Sequence, residues 1–291
     1  MRNQILRLLP PIAALVSALL IGHAALAQGA DGRLKRIAEA ATVRIAYRTD
    51  SRPFAFADAQ GRPTGYTIEL CVAVVKLLER QLGSNALAIQ WVAVDAQNRF
   101  DAIVSGAADM ECGSSTVSLS RLKLVEFSSF VYVESTGVLV NVGASVFSFN
   151  DLAGKRIGIV PGSTNAQAVR DQLERRKLEA TLIAFNDRRD GIAALARGEL
   201  DGFASDKLVL LALAQAANLQ NVSMLPEDLS FEPFAITLPR GDADFRLAVD
   251  SALARIFRSG DVLPLYSKYF STLGRPSNWI GAVFTFGGLP E

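Results

Sequence analysis

Residues 110–121 read "MECGSSTVSLSR": five hydroxyl side chains in one short run, closed by an arginine. Such a stretch offers many hydrogen-bond donors and one fixed positive charge, but no general base. Gly113 lets the backbone turn tightly after Cys112, and Ser114, Ser115 and Thr116 then present hydroxyls and backbone N–H groups. Ser118 is placed to cap a short helix whose first turn holds Arg121. Donors grouped at a helix start favour an anion, and a guanidinium meets a carboxylate with two N–H groups against two oxygens. Each such charge-assisted bond contributes roughly 1.5–3 kcal/mol. The chemistry that fits is the grip of a carboxylate. Taken alone, the same residues also suit a Ser/Thr-rich surface loop with a solvated arginine.

A second stretch repeats the order of strand end, glycine turn, hydroxyls and helix start: "VPGSTNA", residues 160–166, with Ser163 and Thr164. It lacks the Gly-Lys-Ser/Thr ending of a nucleotide-binding loop. A third, "DGFASD", residues 201–206, ends a strand on Asp206, whose carboxylate can hold an ammonium. A carboxylate held on one side and an ammonium on the other describe an α-amino acid.

These residues need elements to position them. "VRIAY", residues 43–47, alternates as a strand, residues 48–66 read as a loop, and residues 67–82 read as a helix with Leu70, Val74, Leu77 and Leu78 on one face. A strand over 87–94, a helix over 98–104 and a strand over 107–111 follow. The alternation restarts with a strand at 155–160, a helix at 165–176, a strand at 181–185, a helix at 191–196, a strand at 200–204 and a helix at 207–217. This is the pattern of parallel α/β sheets. The end of the chain has one more strand, 234–239, and helices over 244–258 and 263–270, too few strands for a third unit. That end is expected to pack back on the first lobe. The chain then crosses between lobes near 135–140 and near 234–239, making a hinge with a ligand cleft between two α/β lobes.

The beginning of the chain reads differently. Arg2 and Arg7 precede an almost wholly apolar run, residues 12–21, and Ala25-Leu26-Ala27 supplies small residues for a signal peptidase. Residues 1–27 are therefore expected to be a secretory signal cleaved after Ala27, the apolar run being short for a membrane span. Without them Lys+Arg falls from 30 to 28 against 29 Asp+Glu, a net charge of −1. A near-neutral chain has no electrostatic footprint for nucleic acid. The single histidine, His23, lies in the signal, so the mature chain has no Ser-His or Cys-His mechanism and no His-ligated zinc. Cys71 and Cys112 are a candidate disulfide in an oxidising compartment, or else two buried thiols.

The stretches "RPFAFADAQGRPTGYTIEL" (52–70), "FNDLAGKRIGIVPGST" (149–164), "ALARGELDGFASD" (194–206) and "RSGDVLPLYSKYF" (258–270) occur in an order that resembles the polar amino acid family of type II periplasmic solute-binding proteins, the receptors of ABC importers. "AQNRF" (96–100) and "MECGSST" (110–116) are most similar to its glutamate/aspartate-binding branch. The resemblance implies a two-lobed α/β fold, each lobe a mainly parallel sheet flanked by helices, with two hinge crossings. Residues 28–137 and 236–291 would form lobe 1 and residues 138–235 lobe 2. It further implies that Arg121, Ser114 and Thr116 hold the α-carboxylate, Asp206 the α-ammonium, and Ser163 and Thr164 the ligand's other side. Arg48 and Arg99 would take a side-chain carboxylate, and Phe54 would form an aromatic wall. Cys71 and Cys112 would be bridged, stapling the helix to the strand that presents the carboxylate grip. The chain departs from that branch at Ala96, where a serine is usual, at Arg188, where a histidine is usual, and at Ser163, where a threonine is usual. Arg188 could strengthen an acidic pocket or reshape it.

The expected activity is binding of an amino acid, the acidic ones first, by lobe closure, and its delivery to a membrane ABC permease from the periplasm. No catalytic residue, metal or cofactor is expected, and the expected form is a monomer. Two other readings use the same fold: a periplasmic dehydratase of the cyclohexadienyl/arogenate type, for which Glu111 and Glu134 are the nearest carboxyl acids, and a ligand-sensing module.

Overall fold

The computed structural model describes residues 32–84 and 86–290; the expected signal peptide and its cleavage site lie outside the described residues. The first elements are α1 (Arg33–Ala40), β1 (Thr42–Arg48), β2 (Asp50–Ser51), β3 (Ala55–Ala57), β4 (Pro63–Thr64), α2 (Tyr66–Gln81), β5 (Ala88–Val94), α3 (Arg99–Val104) and β6 (Met110–Glu111). Next come β7 (Glu126–Asn141), β8 (Arg156–Ile159), α4 (Thr164–Arg176), β9 (Thr181–Ala184), α5 (Arg188–Ala196), β10 (Gly202–Asp206), α6 (Lys207–Ala216) and β11 (Val222–Met224). The chain closes with β12 (Phe231–Leu238), α7 (Ala243–Ser259), α8 (Val262–Phe270) and α9 (Asn278–Gly287).

This is an α/β fold on one curled mixed sheet, in the order β5-β1-β6-β12-β7-β10-β8-β9, with β11 on β7. In the first half β1 pairs parallel with β5 and β6; in the second β8 pairs parallel with β10 and β9. The halves meet on β7, whose residues 126–135 pair antiparallel with β12 and whose residues 136–140 pair antiparallel with β10. The chain returns past Leu229, whose N–H donates to the Thr136 carbonyl, and enters β12 opposite Ser135.

The amphipathic period of α2 does what a 3.6-residue repeat dictates, burying Leu70, Cys71, Val74, Val75 and Leu78 against the first half of the sheet. α7 and α8 close over it, with Phe245, Leu253, Tyr266 and Phe270 buried. The second half has its own apolar cluster around Phe149, Ile157, Val169 and Leu225. Cys71 of α2 and Cys112, just after β6, form a disulfide with Cα atoms 6.5 Å apart. α9 packs on α7 through Phe284 stacked on Phe257, 5.4 Å between centroids, and leaves Trp279 and Phe286 exposed.

Several local expectations change. Residues 50–64 form a small three-stranded sheet, β2-β3-β4, where a loop was expected. The strand expected over 107–111 shortens to β6, because the N–H of Ala108 turns back to the Ala102 carbonyl. α5 begins at Arg188, since the Asp187 side chain caps it by accepting from the Arg189 N–H at 2.7 Å. The helix expected at Arg121 is one 3-10 turn, Arg121–Lys123.

Candidate functional site

Where the two halves face each other, the fold gathers four buried arginines and four buried carboxylates: Arg48, Arg99, Arg121 and Arg188 with Asp50, Glu111, Asp206 and Glu232. Most come from element ends. Arg48 ends β1, Arg99 starts α3, Arg121 starts the 3-10 turn, Arg188 starts α5 and Asp206 ends β10. Buried charges of this kind persist only when paired and hydrogen-bonded, so their partners define the site.

Arg48 ends β1 and Asp50 opens β2, with a bend at Thr49 between them. Their ion pair is two-pronged: Nε donates to Oδ1 at 2.8 Å and Nη2 to Oδ2 at 2.7 Å. Arg188 approaches the same carboxylate from the second half, its backbone N–H donating to Asp50 Oδ2 at 3.1 Å and its Nη1 lying 3.6 Å from Oδ1. The Arg188 side chain also donates to Ser51 Oγ (2.7 Å), Ser205 Oγ (2.8 Å) and Asp206 Oδ2 (3.2 Å). Burial works against the charge on Asp50, but Arg48 and Arg188 outweigh it and hold the carboxyl well below its usual range.

Arg99 and Arg121 are held differently. Arg99 donates from Nε to Ser115 Oγ at 3.0 Å, from Nη1 to the Ala96 carbonyl, and from Nη2 to the Gly162 carbonyl at 3.4 Å. Arg121 donates from Nη1 to the Thr116 carbonyl at 2.7 Å and from Nη2 to that same Gly162 carbonyl at 3.3 Å. Among the described residues, neither guanidinium forms an ion pair with a carboxylate. Burial, with neighbouring Arg121 and Arg48, pushes Arg99 down to about 9. Arg121 is lowered by burial, against the pull of Glu232 and Glu111. A guanidinium keeps its proton in proteins, so both are cations at neutral pH.

Hydroxyls and an amide build the opposite wall. Thr164 Oγ1 and Thr116 Oγ1 each donate to Glu232 Oε2 at 2.5 Å, one from each half. Thr136 Oγ1 donates to Glu232 Oε1 at 3.1 Å. Asn165 Nδ2 donates to Asp206 Oδ1 at 2.8 Å. Burial raises the Asp206 pKa; Arg188 opposes that and Glu232 adds to it. Glu111 accepts from Thr237 Oγ1 at 2.8 Å through one oxygen, and its other oxygen is buried without a hydrogen-bond partner.

Two glycines make this approach possible for different reasons. Gly162 has φ +75°, a left-handed conformation, and lies against the Ala96 carbonyl. Gly113 has no positive φ; its role is space, since a Cβ there would sit 2.2 Å from Glu111 Oε1.

Of the residues singled out in the sequence, Arg48, Arg99, Arg121, Arg188, Thr116, Thr164 and Asp206 enter this network, and Ser114 joins through Ser51 Oγ at 3.3 Å. Ser163 is committed to capping α4: its Oγ donates to the Val160 carbonyl and accepts from the Ala166 N–H. Ser118 likewise accepts from the Arg121 N–H, at 3.3 Å. Phe54 joins the aromatic core instead of the polar cluster, its fully buried ring edge-on to Tyr132 and Phe234. A large apolar ring gains more there than beside buried charges. Sequence reasoning missed Asp50, Ser51, Asn165, Thr136, Ser205 and Glu232. One signal was available for Asp50, its spacing of two from Arg48, and one for Glu232, a lone acid entering an apolar strand.

Residues 43–272 match the bacterial extracellular solute-binding proteins, family 3. An L-glutamate/L-aspartate-binding protein of Pseudomonas aeruginosa is 30% identical over 264 residues, covering 89% of this chain and 85% of that protein. A glutamate/aspartate import solute-binding protein of Salmonella typhimurium is 28% identical over 253 residues, covering 87% and 84%. Among solved structures, an ancestral arginine-binding protein bound to arginine superposes with a TM-score of 0.72 at 26% identity, covering 79% of this chain and 98% of that one.

Proposed function

Because the chain belongs to the bacterial extracellular solute-binding proteins, family 3, we propose that it is an extracytoplasmic receptor that binds an amino acid between two lobes and delivers it to an ABC importer. Of the described residues, those within 28–137 and 236–291 form one lobe and residues 138–235 the other, and they close on the ligand. Closure follows from the chemistry, because each lobe supplies only part of the polar surface an amino acid needs.

The observation that carries this reading is the division of charge in the buried cluster. Arg121 and Arg99 have no carboxylate partner among the described residues and converge on one carbonyl, Gly162. Asp206 lies buried on the second half beside Asn165. Arg121, with Thr116, takes the α-carboxylate in two-pronged fashion. Asp206 takes the α-ammonium, whose charge would hold that carboxyl ionised despite its burial. Arg99 is the cation placed for a side-chain carboxylate. Acidic amino acids are the class that this arginine and the names of the relatives support.

No helix among the described residues is long and apolar enough to cross a membrane. The location follows from the N-terminal sequence, residues 1–27 acting as a cleaved signal and the mature chain beginning at Gln28 in the periplasm.

The test is calorimetric titration of residues 28–291 with glutamate, aspartate, glutamine, arginine and leucine. Saturable binding of at least one, the acidic pair foremost, is the expected outcome. Binding of none, together with turnover of an arogenate-type compound, would replace the receptor reading with the dehydratase one.

A further inference from the structure

We propose that Asp50 is a specificity-determining residue: its carboxylate occupies Arg48 and Arg188 as a ligand's side-chain carboxylate would, and so lowers the preference for acidic over neutral side chains. The inference rests on the receptor reading of the same site and deepens it.

Three observations carry it. The first is geometry. Arg48 grips Asp50 with two parallel N–H···O bonds at 2.8 and 2.7 Å, the arrangement a guanidinium offers any carboxylate. Arg188 closes on the same group from across the cleft, through its backbone N–H at 3.1 Å and its guanidinium at 3.6 Å. Two arginines that could answer an acidic side chain are thereby answered from within the chain.

The second is charge balance. The cluster holds four buried arginines, Arg48, Arg99, Arg121 and Arg188, and four buried carboxylates, Asp50, Glu111, Asp206 and Glu232, a formal sum of zero. A zwitterionic amino acid with a neutral side chain leaves that sum unchanged. An acidic one adds a negative charge to a desolvated site, which is costly unless a cation is spare. Arg99 is one such cation, and removing the charge of Asp50 frees a further one.

The third is coupling between the pieces. Arg188 also donates to Ser51 and Asp206, so one side chain links the side-chain pocket to the residue placed for the ammonium. The Asp50 carboxyl is held ionised by these contacts, so it competes as a full charge at neutral pH. Arg99 then remains as the cation open to an acidic side chain.

Same-shape ligand pairs test this: glutamate against glutamine and aspartate against asparagine, titrated calorimetrically into residues 28–291 of the wild type, Asp50→Asn and Asp50→Ser. Thermal unfolding confirms that each variant is folded, and either variant alone suffices. The expected result is a rise of about 10- to 100-fold in the acid-to-amide affinity ratio, the span one charge-assisted bond accounts for. The rise should come mainly from tighter binding of the acid. A merely structural role for Asp50 would weaken both members of each pair together. A ratio within threefold of wild type, or one that moves toward the amide, overturns the inference and leaves the receptor reading standing. Binding of no amino acid by any of the three proteins overturns both.

Discussion

Arg121 reaches across the cleft to Gly162, its Nη2 donating to the glycine carbonyl at 3.3 Å while its Nη1 donates to its own neighbour Thr116 at 2.7 Å. A neutral carbonyl is a weaker partner for a buried cation than a carboxylate is. A ligand carboxylate that displaces it gains a two-pronged bond. Arg121→Ala is therefore expected to weaken amino acid binding by at least about 100-fold, the worth of two charge-assisted bonds. Arg121→Lys keeps the charge but loses the planar fork, and should fall between. Titration calorimetry on folded protein checks both, and undiminished binding by Arg121→Ala would remove the arginine from the site.

The disulfide constrains 41 residues of chain, from α2 to Cys112 at the edge of the turn that follows β6. Cross-links of that span stabilise by about 3–4 kcal/mol on the chain-entropy account. The double variant Cys71→Ser/Cys112→Ser is expected to lose that amount in urea unfolding, with little change in ligand affinity at temperatures where it remains folded. A loss below 1 kcal/mol would mean that helix and strand hold together without the staple.

Glu134 of β7 is pushed up to about 7, mainly by burial, while the N–H groups of Ser135 and Leu208 pull the other way. A carboxyl raised in the folded state stays protonated there after the unfolded chain has released its proton, so the folded state binds more protons between pH 4.5 and about 7. Its contribution is greatest below pH 4.5 and is lost as the pH rises through that window. Because the side chain keeps some exposure, the loss is at most about 3 kcal/mol, one unit being about 1.36. Asp206 has the same sign, and Asp50 the opposite one, its share fading only as the pH falls below 3.8. Denaturant unfolding from pH 4.5 to 7.5 should show less decline for Glu134→Gln than for wild type; parallel curves would refute the assignment.

How much of this was legible in the sequence depended on how local its cause was. The face of α2 was plain because Leu70, Val74 and Leu78 obey one short period. So was the run of hydroxyls that ends at Arg121, because its residues are consecutive. β7 was not, since "EFSSFVYVES" mixes polar residues into an extended run and its two ends serve different neighbours, β12 and β10. The polar cluster was read as arginines, hydroxyls and a single carboxylate, Asp206. The Arg48–Asp50 pair is local, but the approach of Arg188 to Asp50 is set by the meeting of α5 with β2, which no local pattern encodes. Glu232 was missed for the same reason: its partners Thr116, Thr136 and Thr164 come from three distant segments.

The pairing of the chain's two cysteines has a practical side. With both joined, a thiol introduced by mutation would be the one free sulfhydryl available to a maleimide dye. Gln97 and Asn186 mark opposite lips of the cleft, exposed, with Gln97 Nε2 donating to Asn186 Oδ1 at 3.0 Å. A solvent-sensitive fluorophore attached at either lip would change brightness as the lips part or meet, making the protein its own optical gauge of amino acid concentration.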